Sequence, residues 1–185
     1  MSRFQILLGA AVALAVTVGA RADDLVAVEQ TAMAKLSFMD GVWRGPATTQ
    51  TQSGPHSVTQ TERIGPFLNG TVKVIEGRGY QADGAVGFNA LGIISFDPAT
   101  QKYAFRSYAE GRAGTFSFEP TASGYVWEIP AGPMTIRYTA AIKDGDWHEE
   151  GMRMMAGKDP VKFFEMNLKR VGDTNWPAAG AVSPK

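Results

Sequence analysis

The chain has 185 residues, 44% hydrophobic and 19% charged, and its 18 basic side chains balance 18 acidic ones. That length and composition suit one globular domain with a full core, and a zero formal charge lacks the basic footprint of a nucleic-acid binder. Cysteine is absent, which excludes disulfides, a catalytic thiol and a lipidated N-terminal cysteine.

Residues 1–22 read as a signal peptide. Arg3 supplies the positive start, Ile6 to Val18 is an uncharged apolar run, and Ala20-Arg21-Ala22 has the small-x-small cleavage pattern. The run is shorter than the roughly 20 apolar residues that cross a bilayer. Cleavage before Asp23-Asp24 is therefore expected, leaving no stable membrane span and a mature charge of about −2. The expected location is a bacterial periplasm or the medium.

Residues 23–40 carry a helical pattern. Leu25, Val28, Ala32, Leu36 and Met39 recur at three- and four-residue steps, while Glu29, Gln30 and Lys35 fall on other faces. The spacing predicts a helix from Leu25 to Phe38, ended by Gly41 and placed to plug one end of a barrel.

From Val42 the period becomes two, with turn signals roughly every 8 to 14 residues. Asn69-Gly70 is the strongest hairpin signal, and Asp83-Gly84, Asp97-Pro98, Ser123-Gly124 and Asp144-Gly145 punctuate the rest. Strands are predicted at Thr71 to Tyr80, Leu91 to Phe96, Tyr103 to Tyr108, Thr115 to Glu119, Tyr125 to Ile129, Met134 to Ile142 and Phe163 to Arg170. Short connections favour antiparallel neighbours, and about ten such strands close instead of leaving edges. The fold class predicted is all-β: an antiparallel up-and-down barrel over residues 41–172, followed by a flexible tail at 173–185.

Alternation sorts side chains by face. Phe164, Met166, Leu168 and Arg170 share one parity, as do Met134, Ile136 and Tyr138; Tyr125, Trp127 and Ile129; and Phe116 and Phe118. Arg106, Glu128 and Arg137 take the opposite parity, which is either solvent or a charged lumen. Parity alone does not choose between them.

Several segments together resemble a family. They are Phe38-Met39-Asp40-Gly41-Val42-Trp43-Arg44-Gly45, Ile64-Gly65-Pro66-Phe67-Leu68-Asn69-Gly70, Trp147-His148-Glu149-Glu150-Gly151 and Phe163-Phe164-Glu165-Met166-Asn167-Leu168-Lys169-Arg170. Gly41-Val42-Trp43 after a helix resembles the first strand of lipocalins and their calycin relatives. The whole set is similar to a group of secreted bacterial proteins of unknown function with a lipocalin-like barrel. The resemblance implies a cavity, and a basic residue on the last strand, here Arg170, packed over Trp43 to close the base. About ten strands instead of eight, and no disulfide, depart from true lipocalins.

The chemistry-bearing residues are few. Gly-x-Ser-x-Gly, Walker and His-Glu-x-x-His motifs are absent, so the reading leans away from an enzyme. Gly77-Arg78-Gly79-Tyr80 mimics part of a dinucleotide fingerprint but runs into a turn instead of a helix. No cofactor is expected; the alternative is haem held by His148 or His56, on the precedent of haem-carrying calycin barrels. His148 with Met152, Met154 and Met155 offers a weaker copper pattern.

Aromatic and Met residues on strand faces instead suggest a cavity for a small hydrophobic or amphipathic ligand. The candidate wall is Tyr103, Phe105, Phe116, Phe118, Trp127, Tyr138, Phe164 and Met166, with Arg106, Glu128, Arg137 and Glu149 as possible polar anchors. The competing expectation is a filled barrel acting as a protein-interaction module.

Overall fold

The computed structural model describes residues 22–176. Residues 1–21, most of the expected signal peptide at 1–22, and tail residues 177–185 lie outside the described residues. Helix α1 (Ala22–Ala34) and a 3-10 turn (Ser37–Met39) lead into ten strands. These are β1 (Gly41–Thr51), β2 (Gly54–Phe67), β3 (Val72–Tyr80), β4 (Val86–Asp97) and β5 (Lys102–Ala109), then β6 (Arg112–Pro120), β7 (Gly124–Ala131), β8 (Met134–Lys143), β9 (Asp146–Met155) and β10 (Val161–Gly172). Each pairs antiparallel with its sequence neighbours, and β10 pairs with β1 to close the barrel. The expected all-β, lipocalin-like barrel with a short N-terminal helix is the fold observed.

The helix is shorter than the spacing predicted. It stops at Ala34, where Lys35 N–H donates to the Ala32 carbonyl (3.2 Å) and Leu36 N–H to that of Met33 (2.9 Å). These three-residue bonds tighten the chain and turn Met33, Leu36 and Met39 onto one buried face. Gly41 is not the helix stop but the first residue of β1. Its φ of +142° suits glycine, and a Cβ there would lie 2.8 Å from Arg170 Nε.

That face seals one end of the barrel. The Trp43 indole donates to the Met39 carbonyl (2.9 Å) and meets Trp147 edge-to-face, ring centres 5.6 Å apart. Lys73, fully buried, ion-pairs with Asp40, and Tyr103 Oη donates to the Ala32 carbonyl (3.0 Å). Arg170 stands opposite Trp43 in register, but its guanidinium does not ride on the indole. It donates to the Asp40 carbonyl (3.3 Å) and to Asp173 (2.6 Å). The clamp thus holds the backbone entering β1 and leaves the Trp43 ring to the core.

The described part of the expected tail, Asp173 to Trp176, lies against the barrel. Trp176 packs edge-on against Phe67 at 5.5 Å, with the Arg63 guanidinium 5.7 Å from its ring centre. An aromatic side chain and a cation–π contact anchor a segment whose composition alone reads as frayed. Among the described residues no helix is long and apolar enough to cross a membrane.

Candidate functional site

Strand register lines up the inner wall. Tyr103, Phe118, Trp127, Tyr138, Gly151 and Phe164 stand opposite one another on six successive strands, β5 to β10. Phe105 and Phe116 face each other one step further along, and Met166 pairs with Glu149. All eight candidate wall residues share this surface. Trp127 stacks on Tyr138 at 4.3 Å and 6°, and Phe105 meets Trp127 at 5.0 Å. Gly151 makes the row continuous: a Cβ there would lie 2.9 Å from Phe164 Cβ and 3.0 Å from Tyr138 Cε1.

Burial along this wall is graded. Phe118, Tyr125, Trp147 and Met166, toward the plugged end, are buried. Phe105, Phe116, Trp127, Ile129, Ile136, Tyr138 and Phe164 are only half-buried. Inward-pointing rings can meet water only through the end that α1 does not cover. At that mouth Phe88, Met155 and Val161 are exposed, and the Arg153 guanidinium lies 4.6 Å from the Phe163 ring centre.

Between the two zones sit two carboxyls. Glu62, on β2, points inward with Val58, Gln60 and Ile64, and accepts from Gln60 Nε2 at 2.7 Å. Its cross-strand partner is Gly77, where a Cβ would come within 2.7 Å of Glu62 Oε1 and 2.9 Å of Oε2. The Gly-x-Gly of β3 is thus explained by space for a long inner side chain. Glu149, on β9, accepts from Tyr125 Oη (2.6 Å) and Trp127 Nε1 (3.3 Å), one donor to each oxygen. Trp147 Nε1 is buried without a hydrogen bond of proper geometry, yet it lies close enough to favour the Glu149 charge.

Burial dominates the electrostatics. It pushes Glu62 up to about 8, and the neighbouring Glu149 and Glu76 charges add to the rise that the Gln60 hydrogen bond opposes. Burial also raises Glu149, offset by its Tyr125, Trp127 and Trp147 donors. Tyr125, buried against Glu149, is held well above the ordinary phenol range. Among the described residues, none of the ion pairs involves Glu62 or Glu149. Near neutral pH this cluster holds a protonated acid beside one whose ionised form already has two donors.

Of the four possible anchors, Glu149 alone faces inward. Arg137 Nε donates to Glu128 (2.6 Å) and Arg106 to Tyr108 Oη (2.7 Å) and Thr115 (3.1 Å), all on the outer surface. Sequence reasoning passed over Glu62, Gln60, Gly77 and Trp147. The available signal was Gln60 and Glu62 sharing parity with Val58 and Ile64, opposite two glycines.

The histidines are peripheral. His148 is on the outer face, Nδ1 2.8 Å from Asn167 Oδ1, so its imidazole cannot ligate a haem in the lumen. His56 is exposed at the mouth beside Gln81 (3.3 Å). His148 and Met152 lie four residues apart on one strand, about 13 Å at the ordinary rise, too far to share an ion. A hollow of about 450 Å³ also lies on the outside, along the β1–β10 seam between Pro46, Thr48, Gln50, Lys162 and Asn167. Its charges are already matched, Lys162 bonding both Glu150 (3.0 Å) and Glu165 (2.7 Å). The unpaired chemistry is inside.

No family model matches the sequence, and no curated protein matches it. Among solved structures, the crystal structure of Rv2717c from M. tuberculosis is similar in fold, with 11% identity and a TM-score of 0.57 over 75% of this chain and 96% of that one. At that identity the likeness concerns the barrel alone.

Proposed function

We propose that this protein is an exported barrel that binds an amphipathic small molecule, its apolar part along the aromatic wall and its polar end toward Glu62 and Glu149. The observation that carries this reading is the graded wall: inward-facing rings stay half-exposed at the uncovered end, while two carboxyls without a counter-cation lie beneath them. Ligand cavities combine an apolar surface with a few convergent polar groups in this way. The apolar mouth at Phe88, Met155 and Val161 suits an entry route.

Native mass spectrometry of protein purified gently from the exporting host, with an absorption spectrum on the same sample, tests the reading. A bound organic mass lost from a Phe105→Asp/Trp127→Asp double variant that still folds supports it; retention by that variant counts against this wall. A Soret band would instead assign the lumen to haem and point to His56. N-terminal sequencing of the same sample checks export: a chain starting at Asp23 is expected, and one still carrying residues 1–22 contradicts it.

The apolar mouth also favours a second reading, a partner protein docked across it. Light scattering separates the two, because a protein partner adds tens of kilodaltons and a small ligand does not.

A further inference from the structure

The two inner carboxyls say more about the ligand than that it has a polar end. Glu62 and Glu149 are buried, keeping 9% and 6% of their surface, and both lie on the inner face of their strands. A buried carboxylate is tolerated when a cation or several donors compensate it. Among the described residues the one fully buried cation, Lys73, is taken by Asp40 at the base. Arg153, the cation on the inner side of β9, lies over Phe163 at the rim. Among the described residues no group of three or more His, Asp or Glu side chains converges to hold a metal ion.

Trp147 gives an independent indication. Its indole is 3% exposed, and its Nε1–H, although near Glu149 and Tyr125, makes no hydrogen bond of proper geometry. A buried donor left without a partner is costly, and an oxygen on the ligand's polar end would satisfy it.

We propose, building on the ligand-binding reading above, that the polar end is a primary ammonium with a neighbouring hydroxyl: an amphipathic amino alcohol. The ammonium donates to Glu149 and Glu62, its charge compensating the negative charge that the pair carries. The hydroxyl oxygen accepts from Trp147 Nε1, and the alkyl chain runs along Trp127, Tyr138 and Phe105 to the mouth.

The test is isothermal titration at pH 7 with four matched twelve-carbon probes: 2-aminododecan-1-ol, dodecylamine, dodecan-1-ol and dodecanoate. The expected order is amino alcohol, amine, alcohol, carboxylate, with the amino alcohol at least tenfold tighter than the alcohol. Glu149→Gln should erase the preference for nitrogen over dodecan-1-ol. Glu62→Gln, isosteric and also able to bond Gln60, provides the same test if Glu149→Gln does not fold. Trp147→Phe should remove only the few-fold gain of amino alcohol over amine. Dodecanoate binding as tightly as the amino alcohol, held by Arg153, would overturn the proposal. So would a preference for nitrogen that survives both carboxyl substitutions. If dodecan-1-ol binds and nitrogen adds nothing, the amine class fails while lumen binding stands; if none of the four binds, both fail.

Discussion

At the base of the barrel Leu36 and Met39 are completely buried, Trp43 keeps 1% of its surface, and the charges present are paired, Lys73 with Asp40. At the mouth Phe88, Met155 and Val161 keep 37% to 56% of theirs, and the rings just inside remain half-exposed. Both ends are made by the same alternating strands. The difference comes from one short segment: α1 and its 3-10 extension bring apolar side chains to the base, and no described element covers the other end. Stability is therefore concentrated at the base, and the mouth is the end open to the proposed ligand.

Substitutions at the two ends should separate these roles. The largest effect is expected from Leu36→Asp, which places an unpaired carboxylate in the sealed base and should cost about 4 kcal/mol or more. Urea denaturation would show it as a collapse of the midpoint. Val161→Ser at the mouth should stay within about 0.5 kcal/mol, and equal losses at both ends would refute the division.

The carboxyls give the next largest effect, and its sign is fixed by their raised ionisation. Below about pH 4.5 Glu62 is protonated in folded and unfolded chains alike. Between about 4.5 and 8 the unfolded chain releases the proton while the folded chain keeps it, so stability falls as pH rises through that window. The total is on the order of 5 kcal/mol as an upper bound. Glu62→Gln should be nearly neutral at pH 4 and stabilising at pH 9, with Glu149, raised for the same reason, leaving a smaller residual slope. Thermal unfolding across that range measures it; parallel pH profiles for the two proteins would mean that Glu62 is not held protonated.

Gly77→Ala should cost about 1–3 kcal/mol by crowding the Glu62 carboxyl and should disturb polar-end recognition more than chain binding. Phe105→Ala should cost about 1–2 kcal/mol in stability for a half-buried ring. It should nonetheless weaken an alkyl ligand several-fold, as titration with dodecan-1-ol would show.

Much of this fold was legible before any coordinates. The change to period two after Val42, Asn69-Gly70 and the other turn pairs predict an antiparallel barrel, and aromatic alternation selects the eight wall residues. The polar site was less legible. Arg106, Glu128 and Arg137 carry the charge expected of anchors but lie outside, because alternation separates two faces without saying which is inner. Glu62 was missed for the complementary reason. In β2 it sits within Thr59-Gln60-Thr61-Glu62-Arg63, a run polar on both faces. Only cross-strand pairing with Gly77 and Gly79 shows that one face of that run is interior. Arg170 was placed next to the right residue in register but not in the right contact, since a long side chain reaches past its neighbour to the Asp40 carbonyl.

The claim on which the rest depends is that the lumen is reachable from the mouth down to the carboxyls, and the tryptophans report on it directly. Trp127 and Trp147 flank the candidate site, and Trp176 packs outside against Phe67. Two-dimensional ¹H–¹⁵N NMR resolves their indole N–H groups, and dodecan-1-ol can be titrated into the labelled protein. The account predicts saturable shifts at Trp127 and Trp147 with Trp176 unmoved. Shifts confined to Trp176, or none at a probe concentration that saturates an ordinary lipid carrier, would contradict it.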